Sequence, residues 1–391
     1  MGLDTLLGSA GSIVFPFLAL YLHNERGLSM SLVGTVFLIG GLSTGGTNLI
    51  GGMLSDRFGR RRLMLGVIST TVFTYGVMAL LIGVSAPIWL IALVYIVARS
   101  IAGTINPTMG AMVADFAPQD RLAESYAVVR IGGNVGFAIG PAVGGFLVSF
   151  LSYSWLLIIS AVMYLLIVVI VFFFIPESFA GSKERVDFRS TLAVANDRPF
   201  LIFTIFSILL LLCIAHLGST LSIFTVDRLG FSTAQYGLLL TTNGIGVVLF
   251  QYPVTYWVNR LTKANGLILG SLLYVVGWAS LGWVTGFGWA VLAIVVITAG
   301  EVTVAPLSSA VVAESAPPDK RGRYMGFFAL SQTLGQSLSP LFGGVLLDLF
   351  TSEPRLLWGI IGSVGIIAAI GFHFWGKMAA VRRRDINGLE H

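Results

Sequence analysis

An internal repeat limits the fold of this chain more than any other feature of its sequence. The segment DFAPQDR at residues 115–121 recurs as ESAPPDK at residues 314–320, an offset of 199 positions. Gly140-Pro141 and Ser339-Pro340 stand at the same offset. Both copies lie in long apolar stretches, so the repeat predicts two homologous halves, each a bundle of membrane helices. Paired bundles with a site between them are typical of secondary transporters.

The composition agrees with a chain surrounded by lipid. Hydrophobic residues make up 56% of the sequence and charged residues 10%, and the mean hydropathy is +0.90. A soluble domain carries about 25% charged residues. We therefore expect an all-α membrane protein with 12 transmembrane helices in two pseudo-symmetric six-helix bundles. The predicted spans are 3–23, 30–53, 63–84, 87–110, 122–149, 153–175, 199–225, 233–257, 265–285, 288–311, 323–349 and 356–377.

The longest polar stretch, 176–198, separates six predicted helices from the other six. It predicts an N-terminal bundle over 1–175, a cytoplasmic linker over 176–198, a C-terminal bundle over 199–380 and a tail over 381–391. Near their starts the halves match at an offset of 203, since Leu28-Ser29 corresponds to Phe231-Ser232.

The distribution of basic residues predicts the orientation of the chain. Eighteen Lys and Arg residues fall in alternate connections and three in the intervening ones, which is the positive-inside pattern. It predicts a multi-pass protein of the cell's plasma (inner) membrane with both termini in the cytoplasm. The net charge of +5 does not indicate nucleic-acid binding, because no basic patch lies on a soluble domain.

The connection between predicted helices 2 and 3 carries the most specific motif. Residues 52–62 read GMLSDRFGRRR, which resembles the signature loop of the major facilitator superfamily, G-x-L-a-D-r-x-G-r-k. The resemblance implies a cytoplasmic latch that stabilises the outward-facing state. We name its residues the latch: Gly52, Asp56, Arg57, Gly59, Arg60 and Asp115. Arg60 can pair with Asp115, whereas the second-half copy has Asn259 in place of Asp56, which predicts an asymmetric latch.

Two charges are predicted near the bilayer centre. Arg99 lies in helix 4 within a sequence similar to the superfamily's R-x-x-q-G motif, with Ala102 replacing the Gln. A charge at this depth costs at least ~2.5–3.5 kcal/mol, so it should face the bundle interior and have a partner. Glu301 in helix 10 lies at similar depth, where apolar surroundings favour a carboxyl group that exchanges a proton. These two residues and Asp4, at the start of helix 1, are the proton-coupling candidates; a structural role stays open for each.

Predicted helix 5 carries a pattern of small residues around a proline. Residues 136–147 read GFAIGPAVGGFL, similar to the g-x-x-x-G-P-x-x-G-G-x-l motif of drug–proton antiporters. Glycines four residues apart let another helix approach closely, and the proline permits a kink. The residues concerned are Gly136, Gly140, Pro141, Gly144 and Gly145. The resemblance favours export over uptake, and ordinary helix packing is the alternative.

Several polar and aromatic residues are candidates for a substrate cavity. They are Phe15, Tyr21, Arg130, His216, Phe224, Asn243 and Tyr252. For Arg130 an orientation toward the cytoplasm is equally consistent, and for His216 a packed core position is the alternative. Trp89, Trp155, Trp289 and Trp358 stand near helix ends and are predicted to anchor the chain at the membrane interface.

Over its whole length the chain resembles a twelve-helix major facilitator transporter of the drug–proton antiporter group. That resemblance implies export of small amphipathic compounds in exchange for protons. The alternatives are a specific exporter or facilitator of a metabolite, sugar or lipid, and a transporter-like receptor. No catalytic triad, nucleotide loop or metal spacing occurs, so we expect no enzyme activity, no cofactor and no metal. The expected partners are a small-molecule substrate, protons and lipid, and we expect a monomer.

Overall fold

The computed structural model describes residues 8, 14–118, 122–178, 193–317 and 320–388, and these are helical almost throughout. Apart from the stretch between α6 and α7, the connections between the described helices are short. The helices are α1 Val14–Leu20 with a π-helical turn Tyr21–Glu25, α2 Met30–Phe58, α3 Arg60–Gly83, α4 in two parts (Ile88–Ala102 and Ile105–Phe116), α5 Leu122–Val148, α6 Tyr153–Phe174, α7 Arg198–Ile214 with a continuation Thr220–Ile223 and a π-helical turn Phe224–Arg228, α8 Thr233–Val258, α9 Lys263–Ser280, α10 Phe287–Ser315, α11 Arg321–Phe350 and α12 Pro354–Gly388.

Ten of the described helical segments are long and apolar enough to cross a membrane. They correspond to α2 through α10 and α12. The predicted span 3–23 lies largely outside the described residues, and α11 is 30 residues long but rich in Ser, Gln and Gly. The prediction of an all-helical, multi-pass membrane protein is confirmed, whereas the number of 12 spans stays a prediction.

Helix starts follow from side chains that accept hydrogen bonds from free backbone N–H groups. The Ser29 hydroxyl accepts from the Leu32 amide of α2 (3.4 Å), and the Thr262 hydroxyl accepts from the amide of Asn265 in α9 (3.2 Å). Ahead of α8, Ser232 and Gln235 form a reciprocal capping box with distances of 3.2 and 2.9 Å. These caps place the helix boundaries close to those that the sequence predicts.

The chain divides into two compact units. Unit 1 comprises Met1–Val186, Leu217–Ile245 and Pro340–Asp348; unit 2 comprises Asp187–His216, Gly246–Ser339 and Leu349–His391. Unit 1 therefore contains α1 to α6, the last turns of α7 and parts of α8 and α11. The predicted bundles follow the sequence repeat, whereas the units follow the packing of one conformation, so the predicted domain boundaries stay predictions.

The two units repeat the same helix pairings. In unit 1, α3 packs against α4 and α6; in unit 2, α9 packs against α10 and α12. The core of unit 2 contains Trp278 and Trp358, whose rings stack 5.4 Å apart at an interplanar angle of 10°. Trp358 is fully buried, so its prediction as an interfacial anchor is wrong; it faces α9 rather than lipid. Trp89, Trp155 and Trp289 are 67%, 51% and 64% exposed, as interfacial anchors would be.

Candidate functional site

The latch contains a partly buried ion pair. The Arg60 guanidinium contacts the Asp115 carboxylate, and the two side chains are 12% and 24% exposed. Arg60 Nη1 also donates to the carbonyl of Ala111 (2.6 Å), so the start of α3 is tied to the last turns of α4. The pair expected from the sequence is therefore present, within unit 1.

The second half carries an equivalent ion pair that sequence reasoning missed. Lys263, at the start of α9, contacts Glu314 at the end of α10, within unit 2. Lys263 stands 203 positions after Arg60, and Glu314 stands 199 positions after Asp115. The predicted asymmetry therefore needs correction. The second half has Asn259 where the first half has Asp56, but an equivalent ion pair is present in both halves. The two repeat offsets were the signal that could have found it.

Gly59 connects α2 to α3 with a backbone that favours glycine. Its φ is +87°, and a Cβ there would lie 2.9 Å from a carboxylate oxygen of Glu177. That carboxylate accepts from the amides of Arg61 (3.0 Å) and Arg62 (3.2 Å), which are free N–H groups at the positive end of α3. Arg57 is exposed, and the side chains of the remaining latch residues, Gly52 and Asp56, lie outside the described residues.

The glycine–proline motif of α5 packs against the first turns of α8. A Cβ on Gly145 would overlap the carbonyl oxygen of Thr233, and a Cβ on Gly237 would overlap the carbonyl oxygen of Pro141. Two α8 hydroxyls donate to α5 carbonyls: Thr233 to Gly145 (3.0 Å) and Thr241 to Ala138 (2.7 Å). We call this crossing the α5–α8 seam. Gly136, Gly140 and Gly144 are buried in the same helix.

The repeat of that motif in α11 packs in the same way against α2. A Cβ on Gly344 would overlap the carbonyl oxygen of Met30, and one on Gly34 would overlap that of Pro340. The Asp348 carboxylate accepts from the amides of Met30 (3.0 Å) and Ser31 (2.8 Å), at the positive end of α2. We call this crossing the α2–α11 seam. Both seams lie in unit 1, and each joins one sequence half to the other.

A polar cluster joins equivalent turns of the two halves. The π-helical turns Tyr21–Glu25 and Phe224–Arg228 stand at an offset of 203. Asn24 Nδ2 donates to Asp227 Oδ1 (2.7 Å), and His23 Nε2 lies 3.7 Å from Asp227 Oδ2. We name His23, Asn24 and Asp227 the outer polar cluster, because the basic-residue pattern predicts this end to be extracellular. Sequence reasoning missed the cluster, although the offset of 203 pairs Asn24 with Asp227.

Arg99 lies among aromatic rings in unit 1. Its guanidinium carbon is 4.7 Å from the ring centre of Phe15, a cation–π distance. Phe15 meets Tyr95 and Tyr75 edge-on, with ring centres 5.8 and 6.4 Å away. Among the described residues the buried Nε of Arg99 has no hydrogen-bond partner. The partner that the structure describes is thus an aromatic ring, and the candidate Asp4 lies outside the described residues.

Glu301 is the central residue of α10, in unit 2, and is half-buried. Beside it, a Cβ on Gly300 would lie 3.1 Å from the carbonyl oxygen of Gly270, so α9 and α10 approach closely here. Five residues on, Pro306 cannot donate to the carbonyl of Val302. Gln251 Nε2 donates to that carbonyl instead (3.3 Å), so the carbonyl that the proline leaves free has a hydrogen-bond donor.

The candidate cavity residues lie in different environments. Phe15 is half-buried against Arg99, and Tyr21 is buried with its hydroxyl accepting from Arg26 (3.0 Å). His216 is fully buried with its ring 5.8 Å from that of Trp278, as the core alternative expects. The other four are two buried residues, Phe224 and Asn243, and two exposed ones, Arg130 and Tyr252. In the described part of the chain, no three His, Cys, Asp or Glu residues converge as a metal site.

The geometry defines a class of protein: a multi-pass membrane protein whose repeated halves meet at repeated helix crossings. The family model of the major facilitator superfamily matches residues 5–233 and again 207–387. The chain belongs to the major facilitator superfamily. It is accordingly a transporter and not an enzyme.

Relatives and a solved structure agree with this membership. The chain is 28% identical over 364 residues to a Na(+), Li(+), K(+)/H(+) antiporter of Planococcus maritimus, covering 84% of each chain. It is 24% identical over 379 residues to the multidrug resistance protein MdtH of Shigella dysenteriae serotype 1, covering 95% of this chain and 92% of that one. A crystal structure of a POT family transporter with a thioalcohol-conjugated peptide has a TM-score of 0.81 at 13% identity, covering 96% and 95% of the two chains. At that identity the likeness concerns the fold alone.

Proposed function

We propose that this transporter exports small amphipathic or lipophilic compounds in exchange for protons, by alternating access. Its expected location is the plasma (inner) membrane, with both termini in the cytoplasm. The observation that carries the proposal is the α5–α8 seam. There the motif that resembles the one in drug–proton antiporters makes backbone contact with the opposite sequence half. The name of the multidrug resistance relative supports the same substrate class.

The two seams supply the conformational element of the mechanism. Each seam is held by backbone approaches at glycines and by a few polar contacts, which can break and re-form during a cycle. Separation of both seams would open the outer end of the transporter to substrate release. When the transporter closes again at its outer end, each half moves as a stiff body at its cytoplasmic end. The Arg60–Asp115 pair ties α3 to α4 there, and the Lys263–Glu314 pair ties α9 to α10. The latch role of Gly52, Asp56, Arg57 and Gly59 is part of this proposal.

Glu301 is the residue proposed to carry the proton. It lies at the middle of α10, half-buried, at the depth where the sequence predicts the bilayer centre. Arg99, in the equivalent depth of the first half, sets the local field together with its aromatic neighbours. A proton bound from outside and released inside then exchanges for substrate moving outward. Asp4 stays a further candidate in this role.

Transport in proteoliposomes tests the proposal. A panel of lipophilic cations and neutral dyes is measured with and without an imposed pH gradient. We expect gradient-driven export by the wild type. Glu301→Gln should lower it at least about a hundredfold, because the amide cannot release a proton. The matched control is Glu353→Gln, an exposed carboxylate just before α12, which should export at the wild-type rate. Gradient-driven export by Glu301→Gln at the wild-type rate would contradict the proposal.

A second candidate is exchange of monovalent cations for protons, which the name of the Planococcus relative favours. The same proteoliposomes distinguish it, because Na(+), K(+) or Li(+) added without organic substrate would then drive proton movement. A specific exporter or facilitator would accept one compound class only. A receptor would bind a compound without moving it.

A further inference from the structure

A surface cavity of about 570 Å³ lies in unit 2, where the chain enters α7. One wall is the 3₁₀ turn Ala193–Asn196 and the first residues of α7. The other wall is the start of α11, with Lys320, Arg323 and Tyr324. None of its lining residues belongs to the latch, to either seam or to the proton-coupling candidates, and the proposed function does not use it.

The charges that line this cavity are mostly positive. Arg198, Lys320 and Arg323 all line it, and all three side chains are exposed. Within the described ranges none of the three has an ion-pair partner. The lining carboxylate, Asp197, is already engaged: it accepts from the Phe200 amide (3.4 Å) and from the Tyr324 hydroxyl (2.9 Å). Three cationic side chains and one carboxylate that already accepts two hydrogen bonds make a site suited to an anion.

The position of the cavity along the helices identifies the kind of anion. Arg198 is the first residue of the candidate span Arg198–Arg228, and Arg323 lies in the first turn of α11. Arg198 therefore stands where a candidate membrane span begins, and Lys320 and Arg323 line the same cavity, which suits the depth of lipid phosphates. The positive end of the α11 dipole adds to their field. Farther along these helices, Ile205 and Met325 are 47% and 42% exposed and offer apolar surface to acyl chains.

We propose that this cavity binds the phosphate-bearing headgroup of an anionic phospholipid. The phosphate contacts Arg198, Lys320 and Arg323, and the acyl chains follow the exposed apolar surface of α7 and α11. Because one wall is the end of the linker and the other is the start of α11, the lipid joins these two segments. A free phosphate would satisfy the same cations but would not use the apolar surface beside them.

Binding of short-chain lipids to the delipidated full chain in neutral detergent tests this assignment. Dioctanoyl phosphatidylglycerol, dioctanoyl phosphatidylcholine and inorganic phosphate are titrated separately and followed by native mass spectrometry and thermal shift. We expect saturable binding of phosphatidylglycerol. Phosphatidylcholine and inorganic phosphate should each bind at least about tenfold more weakly.

Matched double variants separate a site from general surface charge. Lys320→Gln/Arg323→Gln removes two cavity cations and should weaken phosphatidylglycerol binding about tenfold or more. Arg260→Gln/Lys377→Gln removes two exposed cations outside the cavity, one just after α8 and one near the end of the candidate span Pro354–Met378, and should leave binding unchanged. The charge-conserving Lys320→Arg/Arg323→Lys should retain binding, which excludes misfolding as the cause of a loss.

Three outcomes would overturn the proposal. Equal binding of phosphatidylglycerol and phosphatidylcholine would show that the phosphate charge is not recognised. Equal losses in the two Gln double variants would show that overall charge, not this cavity, attracts the lipid. Inorganic phosphate binding as tightly as phosphatidylglycerol would make the site one for a soluble anion.

Discussion

At the scale of single residues, two ion pairs in equivalent positions differ in burial. Arg60 and Asp115 are 12% and 24% exposed, whereas Lys263 and Glu314 are 25% and 52% exposed. Arg60 also donates to a backbone carbonyl, so removing its acid leaves a charge that is hard to solvate. An exposed pair is worth at most about 1 kcal/mol, because water and salt screen it.

We therefore predict that Asp115→Asn destabilises the protein more than Glu314→Gln. The expected loss is about 1–3 kcal/mol for Asp115→Asn and under about 1 kcal/mol for Glu314→Gln. Thermal unfolding of each variant in detergent, at low and at high salt, measures the two losses of stability. Equal losses would mean that burial does not distinguish the pairs, and a larger loss in Glu314→Gln would reverse the interpretation.

Single residues also show how far the sequence could predict the site. The spacing of the latch motif predicted the Arg60–Asp115 pair, because both residues stand at helix ends whose order along the chain brings them together. Trp358 was wrongly placed at the membrane interface. A tryptophan near a helix end can face lipid or a neighbouring helix, and only the packing of α9 against α12 decides for the core. The contact of Gln251 could not be predicted from the sequence, because its partner is a backbone carbonyl of another helix, the one that Pro306 leaves without a donor.

At the scale of helices, the two seams explain why the repeated segments contain glycine and proline at matching positions. Gly145 meets Thr233 as Gly344 meets Met30, and Gly237 meets Pro141 as Gly34 meets Pro340. Each glycine admits a carbonyl oxygen where a side chain would stand. The sequence predicted close helix contact at α5 but not its partner. A small-residue pattern indicates that a helix approaches without indicating which helix does so.

We predict that Gly145→Val stops coupled transport without unfolding the protein. The branched side chain would displace the carbonyl of Thr233 and force α5 and α8 apart, because packed interfaces have little free volume. The matched control is Gly76→Val in α3, where a Cβ meets no atom within 4 Å. Size-exclusion profiles report folding and proteoliposome flux reports transport. We expect at least about a tenfold loss of coupled flux for Gly145→Val and little change for Gly76→Val. Normal coupling in Gly145→Val would reduce the motif to ordinary packing.

At the scale of the whole molecule, the repeat predicted two halves and a membrane fold, and the family match confirms the fold. What the repeat could not predict is the conformation. Contacts between the halves depend on which end of the transporter is closed, and a single sequence encodes every state of the cycle. In unit 1 the outer polar cluster and both seams hold segments of the two halves together. Alternating access requires all of these contacts to break in each cycle.

The proposed mechanism therefore requires the outer polar cluster to open during transport, and disulfide cross-linking tests this central claim most directly. Asn24 Nδ2 donates to Asp227 Oδ1 (2.7 Å), so Asn24→Cys/Asp227→Cys places two cysteines on facing turns of the two halves. Cys213 is the single native cysteine, and Cys213→Ser provides a cysteine-free background. The two single-cysteine variants are the controls for the effects of substitution and oxidation.

Flux in proteoliposomes is measured before oxidation, after oxidation and after added reductant. We predict that the oxidised double variant loses transport by at least about tenfold, that reductant restores it, and that neither single variant responds. Transport at an unchanged rate by fully cross-linked protein would contradict this mechanism, because substrate would then cross without any opening at Asn24 and Asp227.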